Sequence, residues 1–128
     1  MCGVPNYKMM AVCDFMVLPS TDETQSGTLA GIIALNKPYI TTAPMEGLTA
    51  QTLESEGGLL FTTKDMLKQK VIRLACQEQL RLKLGENLKC YLDEVVSWEV
   101  VAGLYNRAYE LAREAKRTGQ PVVLDPEF

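Results

Sequence analysis

The side chains best suited to bind a ligand lie in residues 18–29 (LPSTDETQSGTL), where a predicted strand is followed by a predicted helix. The helix is expected to begin at Ser26-Gly27-Thr28, so that free backbone amides and the positive end of the helix dipole face the carboxyl edge of a sheet. Gly27 would let a ligand approach the backbone closely, and Ser26 and Thr28 add hydroxyl groups. Glu23 precedes the helix and could accept hydrogen bonds from sugar hydroxyls. This pattern is typical of a phosphate or diphosphate site.

The same residues leave a second interpretation open. Ser26 could simply cap the helix, and Gly27 could simply make a turn. The pattern alone does not decide between the two, because it is less specific than a complete P-loop.

Other common catalytic and metal-binding patterns are missing from the sequence. The chain has no histidine, which excludes serine–histidine and cysteine–histidine nucleophile pairs and removes the commonest metal ligand. The four cysteines, Cys2, Cys13, Cys76 and Cys90, include no C-x-x-C pair, so neither a metal site nor a cofactor is predicted. Cys13, Cys76 and Cys90 lie in apolar-periodic segments and are predicted to be buried free thiols.

The composition sets further bounds on the function. A chain of 128 residues with 47% hydrophobic side chains is long and apolar enough for one folded domain. A net charge of −3 argues against a general nucleic-acid binder, which usually carries a basic surface. The apolar runs are shorter than the roughly 20 residues of a membrane helix, and no secretory signal is evident. We therefore expect no membrane span and a cytoplasmic location.

Strand-like and helix-like segments alternate along the first half of the chain. Strands are predicted at residues 14–18, 38–42 and 59–61, and helices at residues 6–13, 26–36 and 45–55. The first two strands lack polar alternation and are predicted to be buried on both faces. The alternation predicts an α/β fold, a partial Rossmann-like domain with a short parallel sheet of about three strands flanked by helices. So small a sheet leaves an edge strand exposed, which predicts a homo-oligomer or docking onto a missing partner domain.

The second half of the chain is predicted to be helical. Thr63 and Ser97 are expected to cap two of its helices, and Gly119 is expected to end the last one. Residues 1–119 are therefore predicted to form one partial domain, and residues 120–128 a tail that is either a loose strand or disordered.

Three aromatic side chains, Trp98, Tyr105 and Tyr109, share one face of the last predicted helix. Such a stripe could stack against a sugar ring, but at helical spacing it is more typical of a hydrophobic core. We therefore expect these rings to be buried.

Several short motifs occur in a characteristic order between about residues 12 and 116. They are Leu18-Pro19-Ser20, Asn36-Lys37-Pro38, Leu59-Leu60-Phe61, Leu84-Gly85-Glu86-Asn87 and Ser97-Trp98-Glu99. The ordered set resembles the donor-binding domain of family-four retaining glycosyltransferases, whose two Rossmann-like domains form the GT-B fold. Asn36 stands where glycine is usual in that family.

The resemblance implies a binding site for a nucleotide-sugar donor. Glu23 corresponds to a family glutamate that lies near the donor sugar. The family's loop and helix start, whose amides hold the sugar and the diphosphate, correspond to Gln25, Ser26, Gly27, Thr28 and Leu29. Gly31 stands where the family has a second glutamate, which binds the ribose.

The expected function is therefore the nucleotide-sugar-binding part of a hexosyl-transferring glycosyltransferase. Catalytic residues are not assigned, because the acceptor domain and the basic residues that neutralise the leaving diphosphate are not found in this sequence. We expect the chain to be inactive alone, since catalysis needs those charges. The alternative is a non-catalytic interaction module that self-associates through its exposed sheet edge. A third interpretation, a phosphate-binding protein with unrelated chemistry, depends only on the helix start.

Overall fold

The computed structural model describes residues 4–22 and 26–123. The strands are β1 (Met16–Leu18), β2 (Tyr39–Thr42) and β3 (Gly58–Phe61). The helices are α1 (Val4–Val12), α2 (Gly27–Ala34), α3 (Glu46–Ser55), α4 (Lys64–Cys76), α5 (Glu78–Tyr91) and α6 (Trp98–Thr118), with a π-helical segment at Leu92–Val96 before α6. Within the described ranges, no helix combines the length and the apolar character needed to cross a membrane.

The three strands form a parallel sheet in the order β1-β2-β3. Tyr39 of β2 pairs with Met16 on one side and with Gly58 on the other. A helix connects each strand to the next and carries the chain back across the sheet, so that the next strand starts at the same edge and runs parallel to the last. The predicted α/β fold with a short parallel sheet flanked by helices is confirmed.

The central strand β2 is buried on both faces, as its lack of polar alternation predicts. Tyr39 has no exposed surface, and its hydroxyl forms a 2.8 Å hydrogen bond with Thr52 of α3. Ile40 is equally buried and belongs to a cluster with Leu74 and Leu84 on α4 and α5. The two faces of β2 therefore hold together the helices that surround it.

The prediction that β1 is also buried on both faces is wrong. Val17 is 38% exposed, and its two neighbours in the strand are only partly buried. Among the described strands β1 pairs with β2 alone, so it lies at an edge of the sheet. An apolar run specifies a strand, but its place in the sheet decides how much of it is covered.

The turn between α3 and β3 is closely packed. Glu56 ends α3 in the left-handed conformation, with φ of 50°. A Cβ added at Gly57 would collide with the side chain of Leu88, and one at Gly58 would lie 2.5 Å from the ring of Tyr39. Both positions therefore require glycine, and α5 packs directly against this turn.

The predicted helix caps are confirmed. The side chains of Ser26, Thr63 and Ser97 each accept a hydrogen bond from the backbone amide three residues further on. Gly119 ends α6 with φ of 69°, a left-handed conformation that glycine adopts readily.

The prediction that the cysteines are buried is wrong for all three that the structure describes. Cys13, Cys76 and Cys90 are exposed. Cys76 and Cys90 each lie two positions after a buried leucine, Leu74 and Leu88, and two residues correspond to about 200° around a helix. Cys13 follows the end of α1, where its thiol donates a hydrogen bond to the carbonyl oxygen of Met9. A cysteine in an apolar-periodic segment can thus lie on the solvent-facing side of its helix.

The chain divides into two compact units, residues 1–92 and 93–128. The second unit contains α6, and none of the residues of this helix is buried. Trp98 is 84% exposed, and Tyr105 and Tyr109 are exposed with ring centroids 6.4 Å apart. The expectation that this stripe is buried in a core is therefore wrong.

Candidate functional site

The start of α2 has the local geometry that its sequence predicts. Ser26 has extended backbone angles, and its Oγ accepts a 3.2 Å hydrogen bond from the amide of Leu29. The first backbone bond of the helix runs from the amide of Ala30 to the carbonyl oxygen of Ser26. The amides of Gly27 and Thr28 precede this bond, so they have no partner within the helix. The positive end of the helix dipole lies at the same place. This helix start can therefore attract an anion.

The space beside this helix start is open at Gly27. A Cβ added there would meet no atom within 4 Å, and both Gly27 and Thr28 are exposed. Leu29, in contrast, is fully buried, and Ser26 already accepts the hydrogen bond from its amide. The side chain of Leu29 therefore belongs to the core, and its place in a diphosphate site stays a prediction.

Four of the six residues predicted for the donor site are contiguous in the structure. Ser26 to Leu29 form the cap and first turn of α2, which follows β1 in the chain and runs back toward β2. In such a crossover, the helix start lies at the carboxyl edge of the parallel strands, where α/β proteins commonly bind ligands. The other two predicted residues, Glu23 and Gln25, lie outside the described residues.

A cavity whose lining is more polar than that of the other cavity at this helix start lies between α2 and α3. We call it the polar cavity; its volume is about 580 Å³ and its lining includes Ser26, Gly27, Gln51, Glu54 and Tyr91. The hydroxyl of Tyr91 donates a 3.0 Å hydrogen bond to Oε2 of Glu54. Burial raises the pKa of Tyr91, and the neighbouring Glu54 raises it further. Tyr91 therefore stays a neutral hydroxyl that can donate a hydrogen bond at physiological pH.

A second cavity lies between α1, β1 and α2. We call it the apolar cavity; its volume is also about 580 Å³, and its lining comprises Tyr7, Met9, Met10, Cys13, Met16, Gly27, Thr28 and Gly31. Gly27 lines both cavities, so the start of α2 separates a polar space from an apolar one. Both volumes fall in the range that small-molecule ligands occupy.

Gly31 lies against the edge of the Tyr7 ring. A Cβ added at Gly31 would come within 3.1 Å of Cε1 of Tyr7 and within 3.8 Å of its hydroxyl oxygen. The family resemblance expects a ribose-binding glutamate at this position. In the described structure, an aromatic ring from α1 lies there against a bare helix surface.

Several residues that line these cavities have no role in the site predicted from the sequence, among them Tyr7, Met16, Glu54 and Tyr91. The apolar pattern of each segment indicates which helices are amphipathic. It does not indicate that α1 packs on α2, or that the end of α5 reaches α3.

The described part of the chain does not bring together a group of three or more cysteine, aspartate or glutamate side chains that could hold a metal ion. The chemistry available at the helix start is therefore that of backbone amides, hydroxyl groups and one carboxylate. Groups of these kinds can form hydrogen bonds with an anionic, polyhydroxylated ligand.

Comparison with known proteins finds similarity both in sequence and in structure. The chain does not match a known family model. It is 33% identical over 103 residues to an uncharacterized glycosyltransferase of Methanocaldococcus jannaschii, an alignment that covers 79% of this chain and 29% of the relative. Its structure is similar to that of WaaG, a glycosyltransferase involved in lipopolysaccharide biosynthesis, with a TM-score of 0.65 and 21% identity. That match covers 73% of this chain and 26% of the WaaG chain.

These comparisons support the resemblance to glycosyltransferases. The chain spans less than a third of the length of either protein that it matches. The structural match agrees with the predicted GT-B fold, and the sequence match points to the same kind of protein independently of the fold. The chain is therefore similar in sequence to part of a glycosyltransferase, and it has the fold of part of a GT-B glycosyltransferase.

Proposed function

We propose that this chain binds the sugar-diphosphate part of a nucleotide-sugar and is the donor-binding part of a hexosyl-transferring glycosyltransferase. The capped start of α2 carries the proposal, because it presents the amides of Gly27 and Thr28 at the junction of the polar and apolar cavities. Glu23 and Gln25 complete the proposed site on the evidence of the family resemblance.

The geometry suits a diphosphate that joins two unlike groups. A phosphate oxygen can accept hydrogen bonds from the amides at a helix start, where the dipole favours negative charge. A sugar attached on one side would meet the hydroxyl and carboxylate groups of the polar cavity. Glu54 accepts the Tyr91 hydrogen bond through one oxygen, so its second oxygen can accept a hydrogen bond from a sugar hydroxyl.

The binding should be weak. Neither cavity has a lysine or an arginine among the described residues that line it. Charge-assisted hydrogen bonds to phosphate would therefore be missing, and these are roughly twice as strong as neutral ones. We expect dissociation constants on the order of 0.1–1 mM, about 4–5 kcal/mol of binding free energy.

Weak binding and the missing basic groups lead to a second part of the proposal. The transition state of hexosyl transfer places negative charge on the departing nucleotide, and stabilising that charge usually supplies much of the catalysis. We propose that the chain alone does not transfer hexose, and that a partner or a further segment supplies the acceptor side.

An amide NMR titration with UDP, GDP and their hexose conjugates tests the binding proposal. We expect the largest shifts at the amides of Gly27 and Thr28, with smaller ones around Gln51. Gly27→Val should abolish these shifts, because Gly27 lines both cavities and the valine side chain would fill the open space beside the helix start. Gly103→Val is the matched control, since a Cβ at Gly103 also meets no atom within 4 Å.

Glu23→Ala separates the sugar from the diphosphate. We expect it to weaken binding of the hexose conjugates and to leave UDP itself little affected. The proposal is rejected if the folded chain shows no shifts at the start of α2 with any of these ligands, or if Gly27→Val and Gly103→Val behave alike.

A second candidate function is a non-catalytic module that associates through the edge of its sheet. The exposure of Val17 on β1 favours it, because an edge strand with open backbone groups can pair with another chain. Val17→Lys should then convert an oligomer to a monomer in sedimentation analysis while leaving the nucleotide titration unchanged.

A further inference from the structure

We propose that Tyr7 is a specificity-determining residue that stacks on the nucleobase of the donor in the apolar cavity, and that this cavity does not distinguish ribose from 2′-deoxyribose. The inference rests on the proposed function, because the diphosphate at the start of α2 would fix where the rest of the nucleotide lies. It adds which side chain contacts the base, and that the ribose 2′-hydroxyl does not affect binding.

The lining of the apolar cavity favours a flat, weakly polar group. Three methionines and Tyr7 make up half of the residues that line it. Thioether sulfur atoms are polarizable and make favourable contacts with aromatic rings, and unbranched methionine side chains adapt to the shape of a ligand. A phosphate or a hexose would find few hydrogen-bond partners there, whereas a base offers a π-face to the ring and the sulfur atoms.

The position of Tyr7 leaves its ring available for stacking. Its nearest approach to α2 is through Cε1 and the hydroxyl oxygen, so the edge of the ring contacts Gly31. The side chain as a whole is 56% exposed. Gly31 permits this contact without adjustment, since a Cβ at 3.1 Å would be closer than ordinary van der Waals contact and the ring would have to shift slightly. The glycine thus serves to place the tyrosine.

The occupant follows from the position of Gly27, which lines both cavities. A ligand held by its diphosphate at this residue extends into the polar cavity on one side and into the apolar cavity on the other. Of the two groups that flank the diphosphate of a nucleotide-sugar, the hexose matches the polar lining. The nucleoside is therefore assigned to the apolar cavity.

The same lining explains why the ribose hydroxyls would not be distinguished. Among the described residues of the apolar cavity, the polar side-chain groups are the hydroxyls of Tyr7 and Thr28 and the thiol of Cys13, whose hydrogen bond goes to Met9. None is a carboxylate or an amide that could accept two hydrogen bonds from a ribose diol at once. Losing the 2′-hydroxyl therefore leaves no buried charged group without a partner, which is the usual source of strong discrimination.

The experiment compares dissociation constants for inorganic diphosphate, UDP and 2′-deoxy-UDP, measured by NMR titration of the full chain and its variants. In the unmodified chain, UDP should bind about tenfold more tightly than diphosphate, the contribution expected of one stacked base. UDP and 2′-deoxy-UDP should agree within about threefold, the difference expected from one exposed hydrogen bond. Tyr7→Leu should remove most of the tenfold advantage and leave diphosphate binding unchanged, whereas Tyr7→Phe should preserve the advantage.

Tyr105→Leu is the matched control, because Tyr105 is exposed to a similar extent in the other unit of the chain. Met9→Gln provides a second variant that does not depend on the contact with Gly31, since Met9 is 66% exposed at the cavity and lies outside the core. It should weaken UDP binding by about threefold, because a polar amide replaces one thioether contact with the base.

The outcomes separate the two proposals. If neither diphosphate nor UDP binds, the proposed function fails and this inference fails with it. If UDP binds at the start of α2 but Tyr7→Leu and Met9→Gln leave its affinity unchanged, only the assignment of Tyr7 is overturned. A preference for UDP over 2′-deoxy-UDP of tenfold or more overturns the statement about ribose.

Discussion

The side-chain amide of Asn87 donates a 2.8 Å hydrogen bond to the backbone carbonyl oxygen of Glu56. Glu56 has the left-handed conformation that ends α3, and Asn87 lies on α5, so the bond joins two helices across the turn that precedes β3. Asn87 belongs to the Leu84-Gly85-Glu86-Asn87 motif. The structure thus gives one residue of that motif a structural role, which is to hold the turn between α3 and β3.

We expect Asn87→Ala to lower the free energy of unfolding by about 1 kcal/mol, because the carbonyl of Glu56 loses its side-chain partner. Urea denaturation followed by circular dichroism measures this change. Asn106→Ala, on the exposed surface of α6, is the control and should change stability by less than about 0.5 kcal/mol. Equal effects of the two substitutions would show that the bond to Glu56 contributes nothing.

The three capping side chains allow stability and binding to be separated. Ser26→Ala, Thr63→Ala and Ser97→Ala should each lower the free energy of unfolding by about 1 kcal/mol, because each removes an acceptor for an amide at a helix start. Only Ser26→Ala should also weaken the binding of UDP. Calorimetric titration at a temperature where all three variants are folded makes the comparison, and equal losses of UDP binding in the three variants would contradict a site at α2.

Alkaline pH should destabilise the fold through its buried tyrosines. Burial raises the pKa of Tyr39 above its usual value of 10.0. Burial and the neighbouring Glu54 also raise the pKa of Tyr91. Below pH 10 both groups are neutral in the folded and the unfolded chain, so their contribution is constant. Above pH 10 the unfolded chain loses these protons first, so the free energy of unfolding should fall as the pH rises.

Tyr39→Phe tests this pH dependence. It should lower stability at pH 7 by about 1 kcal/mol, because the hydrogen bond between Tyr39 and Thr52 is lost while that from Thr52 to Leu48 remains. It should also make the decline above pH 10 shallower. Urea denaturation between pH 7 and 11.5 measures both effects. Tyr109→Phe replaces an exposed ring, leaves Tyr39 and Tyr91 in place, and should reproduce the slope of the unmodified chain.

The exposed thiols should react without unfolding. In a Cys2→Ser background, a thiol-specific colorimetric reagent should modify Cys13, Cys76 and Cys90 in the folded chain at similar rates with and without denaturant, because all three are exposed. Thiols that reacted only after addition of denaturant would instead support the burial that the sequence predicts.

Much of the fold could be predicted because its signals are local. A serine or threonine before an apolar-periodic segment determines where a helix begins, and this identified the caps at Ser26, Thr63 and Ser97. A short apolar run between turn residues identified β2 and β3 to within a residue or two.

The errors arise where an interaction joins distant parts of the chain. The strand order decides that β1 lies at an edge and Val17 is exposed, and no property of the run Met16–Leu18 specifies that order. The apolar cavity depends on the ring of Tyr7 packing against Gly31, 24 positions away in the sequence. Composition and periodicity describe each helix separately and cannot indicate such a pairing.

The contact between Leu88 and the turn at Gly57 limits how this sequence can change. The leucine side chain occupies the volume that any Cβ at position 57 would need, so a substitution at Gly57 alone forces a collision in a closely packed interior. Leu88→Ala alone leaves a void instead. The two changes together should be tolerated better than the sum of their separate effects, since each relieves the other. The two positions are therefore expected to evolve as a compensating pair, with the turn keeping its glycine as long as α5 keeps its leucine.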